Sequence, residues 1–298
     1  MTLKPTSNTR QLLLQSGGFA ALIGVFFCFI SCIGNDTVQA RPPMTSAEKR
    51  AVSGTASAPQ KNNVPEALLP SSTTGEVVRH TWFTLSYSEK YEQAEWVAYE
   101  LTRERLNAPW AARPNTFRPD PDVQTESATP RDYVRSGFDK GHLCPAADMA
   151  FSAQAIDETF FMSNISPQDP AFNAGIWREL EEHTRNWAKK YAVLYIATGP
   201  VLTPGTAYQQ LGTNRVSVPN AFYKIILAPN ERQAIAFLLP NAAVDKPLME
   251  YAFTIDRIER ITGINFFPKL LKGRDETIES TLDKRAWPMF KTRRDKHE

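Results

Sequence analysis

The chain has 298 residues, with 34 Lys and Arg against 32 Asp and Glu (net charge +2), 42% hydrophobic and 11% aromatic content. This apolar content lets the chain bury a sizeable core and favours one large domain with appendages over two full domains. The near-neutral balance excludes a globally basic polyanion binder, so any nucleic-acid affinity has to come from a local basic groove.

Lys4 and Arg10 precede an uncharged run over residues 11–35, with an apolar heart at 19–33 and Val38-Gln39-Ala40 after it. This is the layout of an export signal. Residues 1–40 read as a signal peptide cleaved after Ala40, a lipoprotein signal leaving Cys32 as anchor, or a retained membrane anchor. All three export the body, to the periplasm, to the exterior or to a membrane surface. A mitochondrial address fits less well, because the segment has a single Arg and a long apolar run. Residues 41–75, rich in Pro, Ser, Thr and Ala, are predicted to be a disordered linker, with the body at 76–298. Cys144 is the body's one cysteine, so no intramolecular disulfide is expected.

Residues 80–87 have the aromatic and β-branched content of a strand. Residues 95–102 alternate Trp96, Ala98 and Glu100 against Val97, Tyr99 and Leu101, predicting a second strand with helix as the alternative. Residues 107–135 hold five prolines and predict a long ordered loop or several short turns, uncommon unless functional. Trp177, Leu180, Thr184, Trp187 and Tyr191 form an apolar stripe at helical spacing, predicting a helix over 173–191. Strands are predicted at 192–198, 221–227 and 233–239, then a short helix at 254–262 ended by Gly263. This order favours an α+β fold with an antiparallel sheet. No Walker or dinucleotide glycine motif is present.

The chemistry-bearing stretch is Gly137-Phe138-Asp139-Lys140-Gly141-His142-Leu143-Cys144-Pro145. Downstream lie Ser163-Asn164-Ile165-Ser166-Pro167-Gln168 and Asn173-Ala174-Gly175-Ile176-Trp177. A neutral histidine is suited to activate water near pH 7. A hard divalent ion held by one or two protein oxygens suits charge on phosphoryl and leaving oxygens. His142 is the candidate base and the Asn173 amide the candidate oxygen ligand. Glu181 stands eight residues on, about 12 Å along a regular helix, placed to accept from water near the ion. Arg185, one turn further, is expected to pair with Glu181 or a phosphate.

These segments resemble the DNA/RNA non-specific endonuclease family, the ββα-metal (His-Me finger) nucleases. Asp139-Lys140-Gly141-His142 is similar to the family's Asp-Arg-Gly-His motif. Ser163 to Gln168 resembles its Ser-Asn-(Ile/Val)-x-Pro-Gln segment, and Asn173, Trp177, Leu180 and Glu181 match its metal-site helix. Trp96 to Tyr99 and Phe117-Arg118-Pro119-Asp120 match in kind and order. The likeness runs from about 78 to 260. It implies a central antiparallel sheet, a long metal-site helix, and hydrolysis of DNA and RNA with little sequence preference, leaving 5′-phosphate ends. It further implies His142 as base, Asn173 as the direct ligand of Mg²⁺ (or Mn²⁺), and Glu181 orienting the ion's waters. Arg118 and Arg185 would bind phosphate or stabilise the transition state, with Asn164 supporting the site. Lys140 stands where the family has arginine, exchanging a bidentate fork for a point charge at a substrate-binding position.

Two rivals stay open: a non-catalytic nucleic-acid-binding surface protein on the same fold, and a narrower phosphodiesterase or nuclease toxin. A zinc site at Cys144 lacks a paired second ligand. The basic stretch 284–296 reads as a solvated tail. Oligomeric state is open, a homodimer included.

Overall fold

Antiparallel pairing organises the body. The computed structural model describes residues 65–71, 75–271 and 276–291. The export segment and most of the 41–75 stretch therefore lie outside the described residues. One seven-stranded sheet has the order β1 (Glu76–Arg79), β2 (Phe83–Ser88), β3 (Gln93–Thr102), β6 (Val193–Pro200), β9 (Ala221–Ala228), β10 (Gln233–Pro240) and β11 (Ala252–Phe253). All its neighbours are antiparallel. Two short pairs stand apart from it, β4 (Asp139–His142) with β5 (Ile165–Gln168), and β7 (Gln210–Leu211) with β8 (Val216–Ser217).

The two-residue alternation read in β3 has a direct cause. Val97, Tyr99 and Leu101 pack with Leu180 and Trp187 of the long helix Arg178–Tyr191. Trp96 and Ala98 face the opposite core, with Ile255, Ile258 and Phe266. Both sheet faces are covered, so this segment is a strand and the helical alternative falls. The α+β expectation holds, with the helix on one side aligned over β3 and β6.

The long helix differs from its expected outline. Its true start is Asp169, whose carboxylate accepts from the N–H groups of Ala171 and Phe172, with Pro170 in the first position. Asn173–Trp177 then forms a π turn in which Gly175 leaves helical geometry (φ −99°, ψ −115°) before the regular helix resumes. Asn173 therefore lies inside the helical run and is not its cap.

Three boundaries also move. Residues 80–82 are a turn between β1 and β2, not the start of a strand. Leu68 and Leu69, within the stretch expected to be linker, are 3% and 7% exposed and pack into the Phe266 core. The Ser71 N–H also bonds the Asn265 carbonyl at 2.8 Å, and Glu66 pairs with Arg79 and Lys269. Near the carboxyl end, Trp287 is buried edge-on against Trp187 at 5.2 Å, so the basic stretch begins docked. Its continuation past 291 lies outside the described residues. Among the described residues, no helix is long and apolar enough to cross a membrane.

Candidate active site

β4, β5 and the helix entered through Asp169 form one ββα unit. The strands pair in the register Asp139↔Gln168, Lys140↔Pro167, Gly141↔Ser166 and His142↔Ile165. A Cβ on Gly141 would sit 2.1 Å from the Gln168 side chain, so the motif glycine is fixed by close strand approach. Asn164 is buried. Its Oδ1 accepts from the Cys144 N–H at 2.9 Å, and its Nδ2 donates to the Cys144 and Thr159 carbonyls at 3.0 and 2.9 Å. Those bonds clamp the backbone two residues past His142. Burial pushes the Cys144 thiol well up, leaving it an inert packing group.

His142, Lys140, Asn173 and Glu181 line one open cavity of about 320 Å³ together with Arg113 and Arg178. Asn173 donates through Nδ2 to Asp139 Oδ2 at 2.9 Å. Its Oδ1 is the amide atom this bond leaves over, a hard oxygen of the kind Mg²⁺ takes. Glu181 lies on the same cavity. The 12 Å separation expected of a regular helix is interrupted by the π turn, a device that recurs at functional sites.

The imidazole of His142 sits between the rings of Phe117 (5.5 Å) and Phe160 (5.0 Å). Burial, and then the Arg113 charge, push its pKa down to about 3. It is therefore neutral at physiological pH. Nε2 is enclosed with no hydrogen-bond partner, so Nδ1 is the nitrogen left to meet a water. A base at Nδ1 places the hydrogen on Nε2, and leaving that N–H unpaired costs about 1–3 kcal/mol. Glu181 moves the other way. Burial raises its carboxyl to about 7, Arg185 and Lys224 counteract, and Asp148 adds to the rise.

The arginines are distributed differently from the expectation. Arg118 pairs with Asp157 at 2.6 Å and lies 4.2 Å over the Phe161 ring. Arg185 bonds Asp148 at 2.9 Å, whose other oxygen accepts from the Tyr99 hydroxyl at 2.9 Å. Neither lines the cavity, and each charge is already met by a carboxylate. Arg113, Lys140 and Arg178 do line it, without a carboxylate partner among the described residues. Arg178 carried a local signal, since it precedes Glu181 by three residues and shares its helix face. Arg113, inside a proline-rich loop, carried none. Lys224 also went unforeseen. Its buried ammonium lies 4.8 Å over the Trp177 ring without a hydrogen bond, and desolvation lowers its pKa.

Two groups among the described residues have the spacing to hold a cation, His80/Asp120/Asp122 and Asp256/Glu259/Glu279. Neither includes a residue of the His142 cavity. In the first, His80 Nε2 and Asp120 Oδ2 are 2.9 Å apart and the Ser163 hydroxyl donates to the same carboxylate. That arrangement ties the β1–β2 turn to the segment bearing Asn164. Cys144 belongs to neither group.

A ββα unit that brings a histidine, an asparagine amide and a carboxylate to one cationic cavity is an arrangement suited to a phosphodiester hydrolase. The family model for DNA/RNA non-specific endonucleases matches residues 61–273, and the chain belongs to that family. It is 36% identical over 203 residues to the mitochondrial endonuclease G of Homo sapiens, covering 63% of this chain and 68% of the relative. It is 35% identical over 209 residues to the mitochondrial nuclease EXOG of Danio rerio, covering 65% and 61%. Nuclease C1 of Cunninghamella echinulata is 37% identical over 205 residues, covering 63% and 81%. The chain thus spans about three fifths of the EXOG relative's length. The solved EndoG/EndoGI complex, titled for the mechanism of EndoG inhibition, superposes with a TM-score of 0.61 at 30% identity, covering 66% of this chain and 88% of that one.

Proposed function

We propose that this protein is a divalent-metal-dependent endonuclease that cuts DNA and RNA with little sequence preference and leaves 5′-phosphate ends. The observation that carries the reading is the convergence of His142, Asn173 and Glu181 on one cavity edged by three cations without carboxylate partners. His142 Nδ1 takes the proton of a water, whose oxygen attacks phosphorus in line as the 3′ oxygen departs. Arg113, Lys140 and Arg178 hold backbone phosphate, which carries no sequence information. The oxygens of Asn173 and Glu181 suit Mg²⁺, with Mn²⁺ as the alternative. When bound, the ion neutralises charge on the phosphoryl and leaving oxygens. Asp139 holds the Asn173 amide through Nδ2, which leaves Oδ1 for the ion.

The test is nicking of supercoiled plasmid by the full chain. His142→Ala is expected to abolish it, and a variant nicking at the parent rate would refute the assignment. Full activity after exhaustive chelation would remove the metal. We further propose that residues 1–40 export the protein, supported by the order of charge, apolar run and Val38-Gln39-Ala40. Cell fractionation with amino-terminal sequencing separates cleavage after Ala40 from lipidation at Cys32 and from retention. Recovery of the unprocessed chain in the cytoplasm would refute export.

A further inference from the structure

Five of the six tryptophans are buried or half-buried, whereas Trp110 is 64% exposed. It has no ring contact, cation contact or hydrogen bond among the described residues. Its position is nevertheless built. The next residue's N–H, on Ala111, bonds the Ala150 carbonyl at 2.7 Å. Ala111 also packs on the small cluster of Ala146, Ala150, Ile156 and Phe160. Ala146 lines the His142 cavity, as does Arg113, three residues beyond Trp110. Three residues span at most about 10 Å of backbone, so Trp110 and Arg113 sit on one short segment at the edge of the cavity. Pro109 and Pro114 flank the segment and restrict it, presenting the ring at a lower entropic cost.

We infer that Trp110 is a stacking platform for an unpaired nucleobase beside the phosphate-binding cavity, an inference that rests on the nuclease reading above. In a duplex both faces of each base are covered by neighbours. A single strand, a loop or an unpaired end offers a free face, and stacking on an aromatic ring tolerates any base. Cations alone hold single strands and duplexes through the same phosphates. Trp110 therefore adds affinity selectively for unpaired nucleic acid without adding sequence preference.

The experiment measures binding of the full chain, in chelator to prevent cleavage, to a labelled single-stranded oligonucleotide and to its duplex. Trp110→Ala is expected to weaken the single strand by roughly 5- to 100-fold and the duplex by about twofold or less, while Trp110→Phe keeps most of the affinity. Equal weakening of both substrates, or none, overturns the inference and leaves Trp110 as an ordinary exposed side chain. Plasmid nicking by the parent protein separates the two levels. If the parent neither binds nor cuts, the nuclease reading itself fails; if it cuts and Trp110→Ala leaves single-strand binding intact, the stacking role alone fails.

Discussion

Glu181→Gln tests the site through stability as well as activity. Burial lifts the Glu181 carboxyl from 4.5 to about 7. A raised carboxyl binds its proton more tightly when folded. Between these values the unfolded chain has released its proton while the folded chain has not, so stability falls as pH rises and levels off above about 7. That displacement corresponds to roughly 3 kcal/mol at alkaline pH, an upper value because the carboxylate still meets the open cavity. Glutamine keeps the shape and removes the titration. In chelator, the variant is expected to match the parent near pH 4.5 and to exceed it by up to roughly 3 kcal/mol at pH 8.5.

Urea unfolding of both proteins at the two pH values, with chelator and with Mg²⁺, provides the measurement. A midpoint shift with unchanged slope reports stability alone. Mg²⁺ binding to the folded state should stabilise the parent more than the variant, closing part of the gap, while nicking by the variant collapses. A variant no more stable than the parent at pH 8.5 in chelator would refute the reasoning. It would mean that Arg185 and Lys224 already satisfy the carboxylate. Such an exchange of stability for activity marks a functional carboxylate, not a structural one.

The remaining expectations concern the base, the cations and the asparagine. With His142 held neutral down to about 3, the pH profile of kcat/KM should show one acid break, at or below about 7, from Glu181. A second break at the ordinary histidine position would place His142 in water. Arg113→Ala and Arg178→Ala should each reduce the slope of log affinity against log salt by about 1, whereas Arg118→Ala leaves it unchanged and costs about 1 kcal/mol or less of stability. A salt slope altered by Arg118→Ala would contradict its commitment to Asp157. Asp139→Ala frees the Asn173 amide to rotate, so half-maximal Mg²⁺ should rise on the order of tenfold with activity recovering at saturation. Titration of nicking rate against Mg²⁺ reads this directly, and an unchanged midpoint would show that the amide is set by other contacts.

The sequence exposed what local pattern determines. β3, β9 and β10 alternate or run apolar because both faces of their sheet are covered, and the helix stripe from Trp177 to Tyr191 meets that sheet. β4 and β5 were not legible as strands. They are four residues each, contain Gly141 and Pro167, and are defined by mutual register, not by apolar content. The apolar spacing placed the helix start at residue 173, because neither the Asp169-Pro170 cap nor the irregular turn at Gly175 alters that spacing. The buried pairing of Leu68 and Leu69 with the Phe266 core depends on a partner some two hundred residues away, so composition alone read them as linker.

Charge at the site obeys the same distinction more sharply. A motif names residue types, but whether a cation can hold phosphate depends on whether a carboxylate has already taken it. Arg118 and Arg185 are claimed by Asp157 and Asp148, partners 39 and 37 residues away that no local window connects. Arg113 and Arg178 belong to no motif read in the chain, yet they reach the cavity without such a claim. Lys140 joins them there as a point charge, able to attract phosphate but not to fork onto it. The residues proposed for catalysis, His142 and Asn173, are therefore written locally. Substrate grip is what remains after the fold has paired its other charges, and it can be read only once those pairs are known.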